Sequence, residues 1–265
     1  MAKYWLVFKN RLSSIFAYRI NFFIGRLQGL ITILLLYFLW VTLARQTGRF
    51  AGFTPEEIAT YVLLVNILRS FVFGNQTRLM AGDINKGTFS VNLVKPFSSV
   101  AYYYFHELAE RTVATLTAIL ETLILTYLLQ IHWVIPINYL TWVYFALTII
   151  LAQLIYFFFS TLLNYLAFWS REAMGPRFLF EWILEFASGA YFPISILMGG
   201  IFFSILYKLP FIYMIYHPIM IFLEKGPLSD ALGILYGGVI WLLILVILNR
   251  IMFNLGIKKY SSEGI

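Results

Sequence analysis

Residues 78–100, RLMAGDINKGTFSVNLVKPFSSV, form the one long polar segment in an otherwise apolar chain. Hydrophobic segments flank it on both sides, and Gly82, Gly87 and Pro96 interrupt it. Its polar and charged side chains include Asp83, Asn85, Lys86, Asn92 and Lys95. Such a segment is either a plain loop between two membrane spans or a docking element for a soluble partner.

The local sequence of this segment predicts three pieces. A short helix is expected over 79–85, followed by a turn at Lys86-Gly87. An extended piece is expected over 89–94. It stops at Lys95-Pro96, because the residue before a proline is disfavoured in helical geometry.

The composition indicates an integral membrane protein. Of the 265 residues, 61% are hydrophobic and 12% are charged, and the mean hydropathy is +0.83. Soluble domains average about 25% charged residues, so charge this sparse cannot cover a water-facing surface. The net charge of +7 then reflects membrane orientation and contact with anionic lipids, and no nucleic-acid partner is expected. Cysteine is absent, and His106, His132 and His217 lie far apart, so neither disulfides nor a metal site is expected.

Six segments are predicted to cross the membrane as helices, which makes the chain an all-α membrane protein of a single domain, residues 1–265. These spans are 20–44, 58–77, 112–131, 139–159, 178–192 and 231–249. In the first span, Gly25 and Gly29 have the G-x-x-x-G spacing that permits close helix approach. Arg26, between them, is expected to reach the cytoplasmic headgroups.

Two further regions are expected to lie in the membrane without crossing it. Residues 1–19 predict an amphipathic helix in the membrane interface. Its apolar face would be formed by Trp5, Phe8, Leu12, Ile15 and Phe16. Within residues 193–230, the apolar pieces 194–207 and 211–223 are too short to span and predict outer re-entrant helices. A competing interpretation makes 186–207 a full span.

The distribution of lysine and arginine predicts that both termini are cytoplasmic. Eleven of the 19 basic residues lie on the proposed inner side, and they are Lys3, Lys9, Arg11, Arg19, Arg78, Lys86, Lys95, Arg171, Arg177, Lys258 and Lys259. Four lie on the proposed outer side, and they are Arg45, Arg49, Lys208 and Lys225. The other four, Arg26, Arg69, Arg111 and Arg250, lie in or at the edge of helices.

Nucleotide chemistry is not expected on this chain. Residues 82–88, GDINKGT, have two glycines at the spacing of a phosphate-binding loop, but the lysine precedes the second glycine instead of following it. No H-E-x-x-H sequence is present either.

Residues 84–98, 188–196 and 256–264 carry three short motifs. All three resemble motifs of ABC-2 type transporter permeases. Ile84, Gly87, Leu93, Lys95, Pro96 and Ser98 match the pattern I-x-x-G-x-x-x-x-x-L-x-(K/R)-P-x-S of the cytoplasmic segment in that family. Residues 188–196, SGAYFPISI, resemble its S-G-x-x-F-P-I-S segment after the fifth span. Residues 256–264, GIKKYSSEG, resemble the G-x-(K/R)-(K/R)-Y-x-x-x-G ending of one bacterial branch.

The resemblance implies the membrane subunit of an exporter in the bacterial inner membrane. A separate ATP-binding subunit would hold ATP and magnesium, and a second permease, identical or related, would complete the pathway. The segment 78–100 would be the cytoplasmic coupling loop. Its ATPase-coupling residues would be Asp83, Ile84, Asn85, Lys86 and Gly87, with Asp83, Ile84 and Lys86 nearest the partner.

Two alternatives come from other functional classes. An intramembrane lipid-modifying enzyme would need polar groups near one membrane face, and only His106, Glu107 and Glu110 qualify. A proton-coupled secondary transporter would use Glu121 and Arg69, the two charges deepest in the predicted spans. Because these two residues lie at nearly equal depth on antiparallel neighbouring helices, they are predicted to form an ion pair. Glu107 and Arg111 are predicted to pair along one helix.

Overall fold

The computed structural model describes residues 2–17, 19–74, 78–170 and 174–260, and within these ranges every regular element is a helix. The α-helices are α1 (Ala2–Ala17), α2 (Arg19–Thr47), α3 (Pro55–Val72), α4 (Arg78–Asn85), α5 (Phe89–Leu93), α6 (Ser99–Leu129), α7 (Tyr139–Tyr165), α8 (Met174–Ser188), α9 (Ile201–Leu206), α10 (Tyr216–Phe222) and α11 (Leu228–Gly256). Short 3-10 turns occur at Leu166–Phe168, Ile194–Leu197 and Pro210–Tyr213.

Four helices are long and apolar enough to cross a membrane, namely α2, α6, α7 and α11. The all-helical prediction is confirmed, and these four helices coincide with four of the six predicted spans. The other two predicted spans coincide with α3, which has 18 residues, and α8, which has 15. Residues 193–227 contain only short helices, and α11 begins at Leu228, inside the predicted region 193–230.

The helix boundaries follow local chemistry. α3 begins with a capping box, in which the Thr54 hydroxyl accepts from the Glu57 backbone and the Glu57 carboxylate accepts from the Thr54 backbone. α8 ends at Ser188, earlier than the predicted residue 192. Gly189 adopts a φ of +90° and leaves the helix before Pro193 can end it. α3 ends at Val72, before the predicted end of the second span at residue 77. Residue 77 itself lies outside the described residues.

One end of the bundle gathers the segment 78–98, the start of α1 and Tyr260, and we call it the segment end. Lys3 Nζ donates to the Pro96 carbonyl at 2.6 Å, and the Ser98 backbone N–H donates to the Tyr4 hydroxyl at 3.2 Å. The 3-10 turn Leu166–Phe168 packs there against α4.

The opposite end gathers the connections between the other helix termini. Lys225 Nζ bonds Glu57 at 2.6 Å and the Gly52 carbonyl at 3.1 Å. The neighbouring Glu224 carboxylate accepts from the Thr141 hydroxyl at 2.9 Å. The Ser195 hydroxyl donates to the carbonyl of Ala51, in the connection between α2 and α3. The connections predicted to lie outside the membrane therefore meet one another at this end.

Helix α1 packs on α6 with only part of its predicted apolar face. Ile15 is buried, whereas Trp5 and Phe16 remain largely exposed. Tyr4 stacks on Phe105 of α6 with ring centroids 5.3 Å apart. The predicted single face is therefore divided between a helix contact and an exposed apolar surface.

Helices α7 and α11 form the most extensive helix pair, and glycine allows their approach. Gly238 lies so close to Leu151 that a Cβ atom at this position would overlap the leucine side chain. By contrast, no heavy atom lies within 4 Å of a Cβ built at Gly25 or Gly29. The G-x-x-x-G spacing of the first span therefore makes no close helix contact within this chain, because the two glycines border open space.

Candidate functional site

The polar segment folds into two short helices joined by a tight turn. α4 ends at Asn85, the turn follows, and Gly87 adopts a φ of +76°, which favours glycine. α5 then begins at Phe89. The predicted helix 79–85 and the turn at Lys86-Gly87 are confirmed.

The predicted extended piece over 89–94 is wrong, since these residues start a helix. Phe89 and Asn92 are both buried. Residues three apart share a face of a helix but lie on opposite faces of a strand. A helix therefore lets Phe89 enter an aromatic cluster with Phe168 and Tyr260 while Asn92 bonds Tyr103. Burial of these two side chains decides the conformation.

Asp83 holds the segment together from inside. Its carboxylate accepts from the Tyr103 hydroxyl at 2.6 Å and from the Thr88 hydroxyl at 3.0 Å. Tyr103 in turn accepts from Asn92 Nδ2 at 2.9 Å. One tyrosine of α6 therefore links α4 to α5, and Asp83 is half-buried with both oxygens engaged.

The five predicted coupling residues have different exposures. Ile84 is completely buried, so its predicted position facing a partner is wrong: it packs into the apolar cluster with Met80 and Phe168. Gly87 is buried as well, and Asn85 is half-buried. Lys86 alone of the five is exposed, at the tip of the turn. The geometry gives the buried residues a structural role and leaves Lys86 free to meet another protein.

Tyr260, which the sequence placed only in a tail motif, is tied to this turn. Its hydroxyl donates to the Gly87 carbonyl at 2.6 Å and accepts from the Ser90 backbone N–H at 2.8 Å. The residue follows α11 closely, so the last long helix is joined to the turn by one side chain. The tail motif and the segment motif therefore meet, a pairing that no spacing in the sequence reveals.

An apolar surface edged by lysine faces away from the bundle at α5. Val94 is 85% exposed, and Val91 and Leu93 are largely exposed as well. Lys86 and Lys95 lie on either side of these three residues in the chain, and both are exposed. We call these five residues the α5 surface. A mixed apolar and basic surface of this kind suits a protein partner.

The predicted Arg69–Glu121 ion pair is wrong, because each residue has another partner. Arg69 pairs with Glu185 of α8, and Glu121 pairs with Arg26 of α2. Equal depth does not determine the rotation of a helix. The rotation of α3 and α6 turns Arg69 toward α8 and Glu121 toward α2, and not toward each other. Arg26 consequently turns inward and does not extend toward headgroups as expected.

The Arg69 side chain also contacts Tyr191, in the motif at residues 188–196. The Tyr191 hydroxyl donates to the same Glu185 oxygen at 2.8 Å, and the Arg69 guanidinium lies 5.2 Å from the centre of the Tyr191 ring. Glu185 was visible in the sequence only as an acid within an apolar stretch, with Glu181 one turn before it.

Two of the three polar residues considered for an enzyme site are engaged in ion pairs. Glu107 pairs with Arg111 on the same helix, as predicted, and Glu110 pairs with Arg11 of α1. His106 packs against the Tyr102 ring, 6.1 Å between ring centroids. In the described part of the chain, no group of three His, Cys, Asp or Glu residues could hold a metal ion.

The fold and the segment together define a multi-span membrane protein with a structured polar element at one end. Comparison with known families identifies the class more closely: residues 30–264 match the family described as ABC-2 family transporter protein. The match covers nearly the whole chain, and the chain therefore belongs to the ABC-2 transporter family. Members are transmembrane components that normally work with an ATP-binding subunit and are not themselves the ATPase. Comparisons with curated proteins and with solved structures gave no match.

Proposed function

We propose that this chain is the permease subunit of an ATP-driven exporter and that the α5 surface, with the turn at Lys86, docks on a separate ATP-binding subunit. The observation that carries the proposal is the rigid attachment of the segment. Tyr103 fixes it to α6 and Tyr260 fixes it to α11, so a push on the turn reaches two long membrane helices.

In the proposed topology, the chain crosses the membrane six times. α3 and α8 join the four long helices, because both run between the segment end and the opposite end. At about 1.5 Å per residue, α3 is roughly 27 Å long and α8 roughly 22 Å, against a hydrocarbon core of about 30 Å. The short helices α9 and α10 form the outer re-entrant region, and α1 lies in the inner interface.

The proposed orientation places the segment end in the cytoplasm of a bacterial cell, at the inner membrane. Both the start of α1 and Tyr260 contact the segment 78–98, which supports the same side for the two termini. The excess of lysine and arginine at this end supports the cytoplasmic side.

The partners follow from the chemistry that this chain lacks. ATP and magnesium would bind the ATP-binding subunit, because the chain has no phosphate-binding loop. A second permease, either a copy of this chain or a relative, would complete a pathway too wide for six helices. Membrane lipids would contact the exposed apolar residues of α2 and α11.

The test places acidic residues on the α5 surface. The double variant Lys86→Glu and Val94→Asp, co-expressed with the ATP-binding subunit that co-purifies with the wild-type chain, should retain membrane insertion but lose co-purification of that subunit by about tenfold or more. Lys208→Glu, a reversal at an exposed lysine of the opposite end, is the matched control and should change nothing. Full ATPase binding and transport by the double variant would contradict the proposal, as would the absence of any ATP-binding cassette protein that co-purifies.

A further inference from the structure

A cavity of about 710 Å³ lies between α1, α2, α3, α6 and α8, away from the α5 surface. Its volume is within the range of about 300 to 1,000 Å³ that is typical of small-molecule sites. Neutral polar groups contribute to the wall, among them Gln28 and Thr32 of α2, and Asn66 and Ser70 of α3. Because it borders α2 and α6, two of the long apolar helices, a ligand can combine a polar part in the cavity with an apolar part in the lipid.

The wall of the cavity is rich in arginine. Among the described residues that line it are four arginines and two glutamates, and each arginine is paired with a glutamate. These residues are Arg11, Arg26, Arg69, Arg111, Glu110 and Glu185. Glu107 and Glu121, the partners of Arg111 and Arg26, are not among the lining residues. Arg111 and Arg26 therefore belong to the lining while the carboxylates that neutralise them do not.

Two of these guanidinium groups have unused donors. Arg111 is 1% exposed, and its Nε and one terminal nitrogen bond Glu107, while the other terminal nitrogen has no hydrogen-bond partner. The group also lies over the Tyr156 ring, 5.1 Å from its centre. Arg11 Nε is likewise buried without a partner. The second oxygen of Glu107 also lacks a donor, but Glu107 is outside the lining. An arginine donor buried without an acceptor suits a phosphate or carboxylate oxygen.

The open space of the cavity depends on glycine. Gly25 and Gly29 form part of the α2 wall, and a Cβ at either position would meet no atom within 4 Å. Glycine destabilises a helix interior relative to alanine, and neither position is needed for a helix contact within this chain. Both keep the wall clear where larger side chains would fill the cavity.

We propose that this cavity binds the anionic headgroup, phosphate or carboxylate, of an amphiphilic cargo. The inference names a cargo class for the proposed exporter and rests on that function. The apolar part of the cargo would remain between the helices or in the lipid, while Arg11 and Arg111 donate to the headgroup. Arg69 and Arg26 also line the cavity, and their pairs with Glu185 and Glu121 fix their side chains there.

The first measurement uses the whole chain without nucleotide, in nanodiscs of phosphatidylcholine and phosphatidylglycerol. Native mass spectrometry should find phosphatidylglycerol retained over phosphatidylcholine by about tenfold after correction for composition. Equal retention of the two lipids overturns the inference. Since no ATP is involved, this result does not depend on whether the chain exports anything.

Two matched pairs of variants locate the binding. Gly29→Leu should reduce the retention of phosphatidylglycerol by about tenfold, whereas Gly233→Leu, an equally open glycine on α11, should not. Arg11→Gln should lower it, and Lys9→Gln, an exposed residue of the same helix outside the lining, should not. The second pair decides the matter if Gly29→Leu fails to fold. Equal retention of phosphatidylglycerol by the two variants of each pair would contradict the inference.

Two further arms identify the source of the anion. Glycerol phosphate in excess should not displace the retained lipid. Displacement at matched concentration would show that the cavity binds a free anion, and it would contradict the proposal of an amphiphilic cargo. Addition of the ATP-binding subunit and ATP should accelerate exchange of the retained lipid. A lipid that stays bound throughout turnover, while export of another compound proceeds, would overturn the cargo assignment and leave the proposed exporter function standing.

Discussion

The hydroxyl group of Tyr260 is one of the smallest features that connects the membrane helices to the α5 surface. Tyr260→Phe removes the bonds to Gly87 and Ser90 but retains the aromatic contacts with Phe89 and Phe168. We expect a loss of about 0.5 to 1.5 kcal/mol in stability and less transport per ATP hydrolysed. Thermal unfolding in detergent and the ratio of transport to hydrolysis measure the two effects.

Tyr236→Phe is the control for this prediction, because Tyr236 lies on α11, the helix that Tyr260 follows, and is 70% exposed. It should leave both quantities unchanged. If Tyr260→Phe retains the wild-type coupling ratio, the turn moves independently of α11, and the mechanical link is excluded.

The ion pair between Arg26 and Glu121 predicts a charge-swap result. Arg26→Glu and Glu121→Arg should each reduce the folded yield, since an unpaired charge at the bilayer centre costs roughly 2.5 to 3.5 kcal/mol. The double swap should recover much of that yield. Fluorescence-detected size-exclusion chromatography of a tagged chain measures it.

A crossed swap separates this pair from the one expected from depth alone. Arg69→Glu with Glu121→Arg leaves Glu185 and Arg26 facing like charges, and it should be no better than its single variants. Recovery in the crossed swap, without recovery in the first, would restore the Arg69–Glu121 pair.

At the scale of elements, the α7–α11 pair depends on one small residue. A side chain at Gly238 would overlap Leu151, whereas one at Gly233 meets nothing within 4 Å. Gly238→Val should destabilise the protein by about 1 to 3 kcal/mol through overpacking. Gly233→Val makes the same change in helix propensity in the same helix, and it should be neutral or slightly stabilising. A pair of variants with equal melting temperatures would mean that the two helices separate easily.

The elements that sequence predicted well are those where one local signal dominates. The run of apolar residues predicted the span 231–249, and α11 contains it. The prediction failed for α5, where short-range signals were weak and burial of Phe89 and Asn92 decided. The prediction that Arg26 reaches the headgroups also failed. The direction of its side chain depends on the rotation of α2 against α6, and the position of a residue along a helix does not reveal that rotation.

At the scale of the whole molecule, the two ends of the bundle should be accessible from opposite sides of the membrane. The chain contains no cysteine, so single cysteines give no background. Lys208→Cys and Lys225→Cys should react with an impermeant maleimide in intact cells, and Lys86→Cys should react only after the membrane is opened. Labelling of Lys86→Cys in intact cells, or of Lys208→Cys from the cytoplasm alone, would overturn the topology.

The general plan of the candidate site was readable from sequence, but its inner connections were not. Polarity and position marked 78–100 as a candidate site, and Lys86 is exposed there. Ile84 was misjudged because a motif position does not reveal which way a short helix turns its apolar side. Tyr103 and Tyr260 were missed because their partners lie 20 and 170 or more residues away in the chain.

The Lys225–Glu57 bridge at the opposite end has a consequence for how the protein responds to its surroundings. Its side chains are 28% and 18% exposed, whereas those of Arg111 and Glu107 are 1% and 2% exposed. At physiological ionic strength the screening length is about 8 Å, and it shortens to about 3 Å in molar salt. Dissolved salt therefore weakens the bridge over the 47–57 connection while the interior pairs keep their strength. A rise in salt concentration will therefore increase the mobility of the opposite end selectively, while the helix contacts inside the bundle are retained.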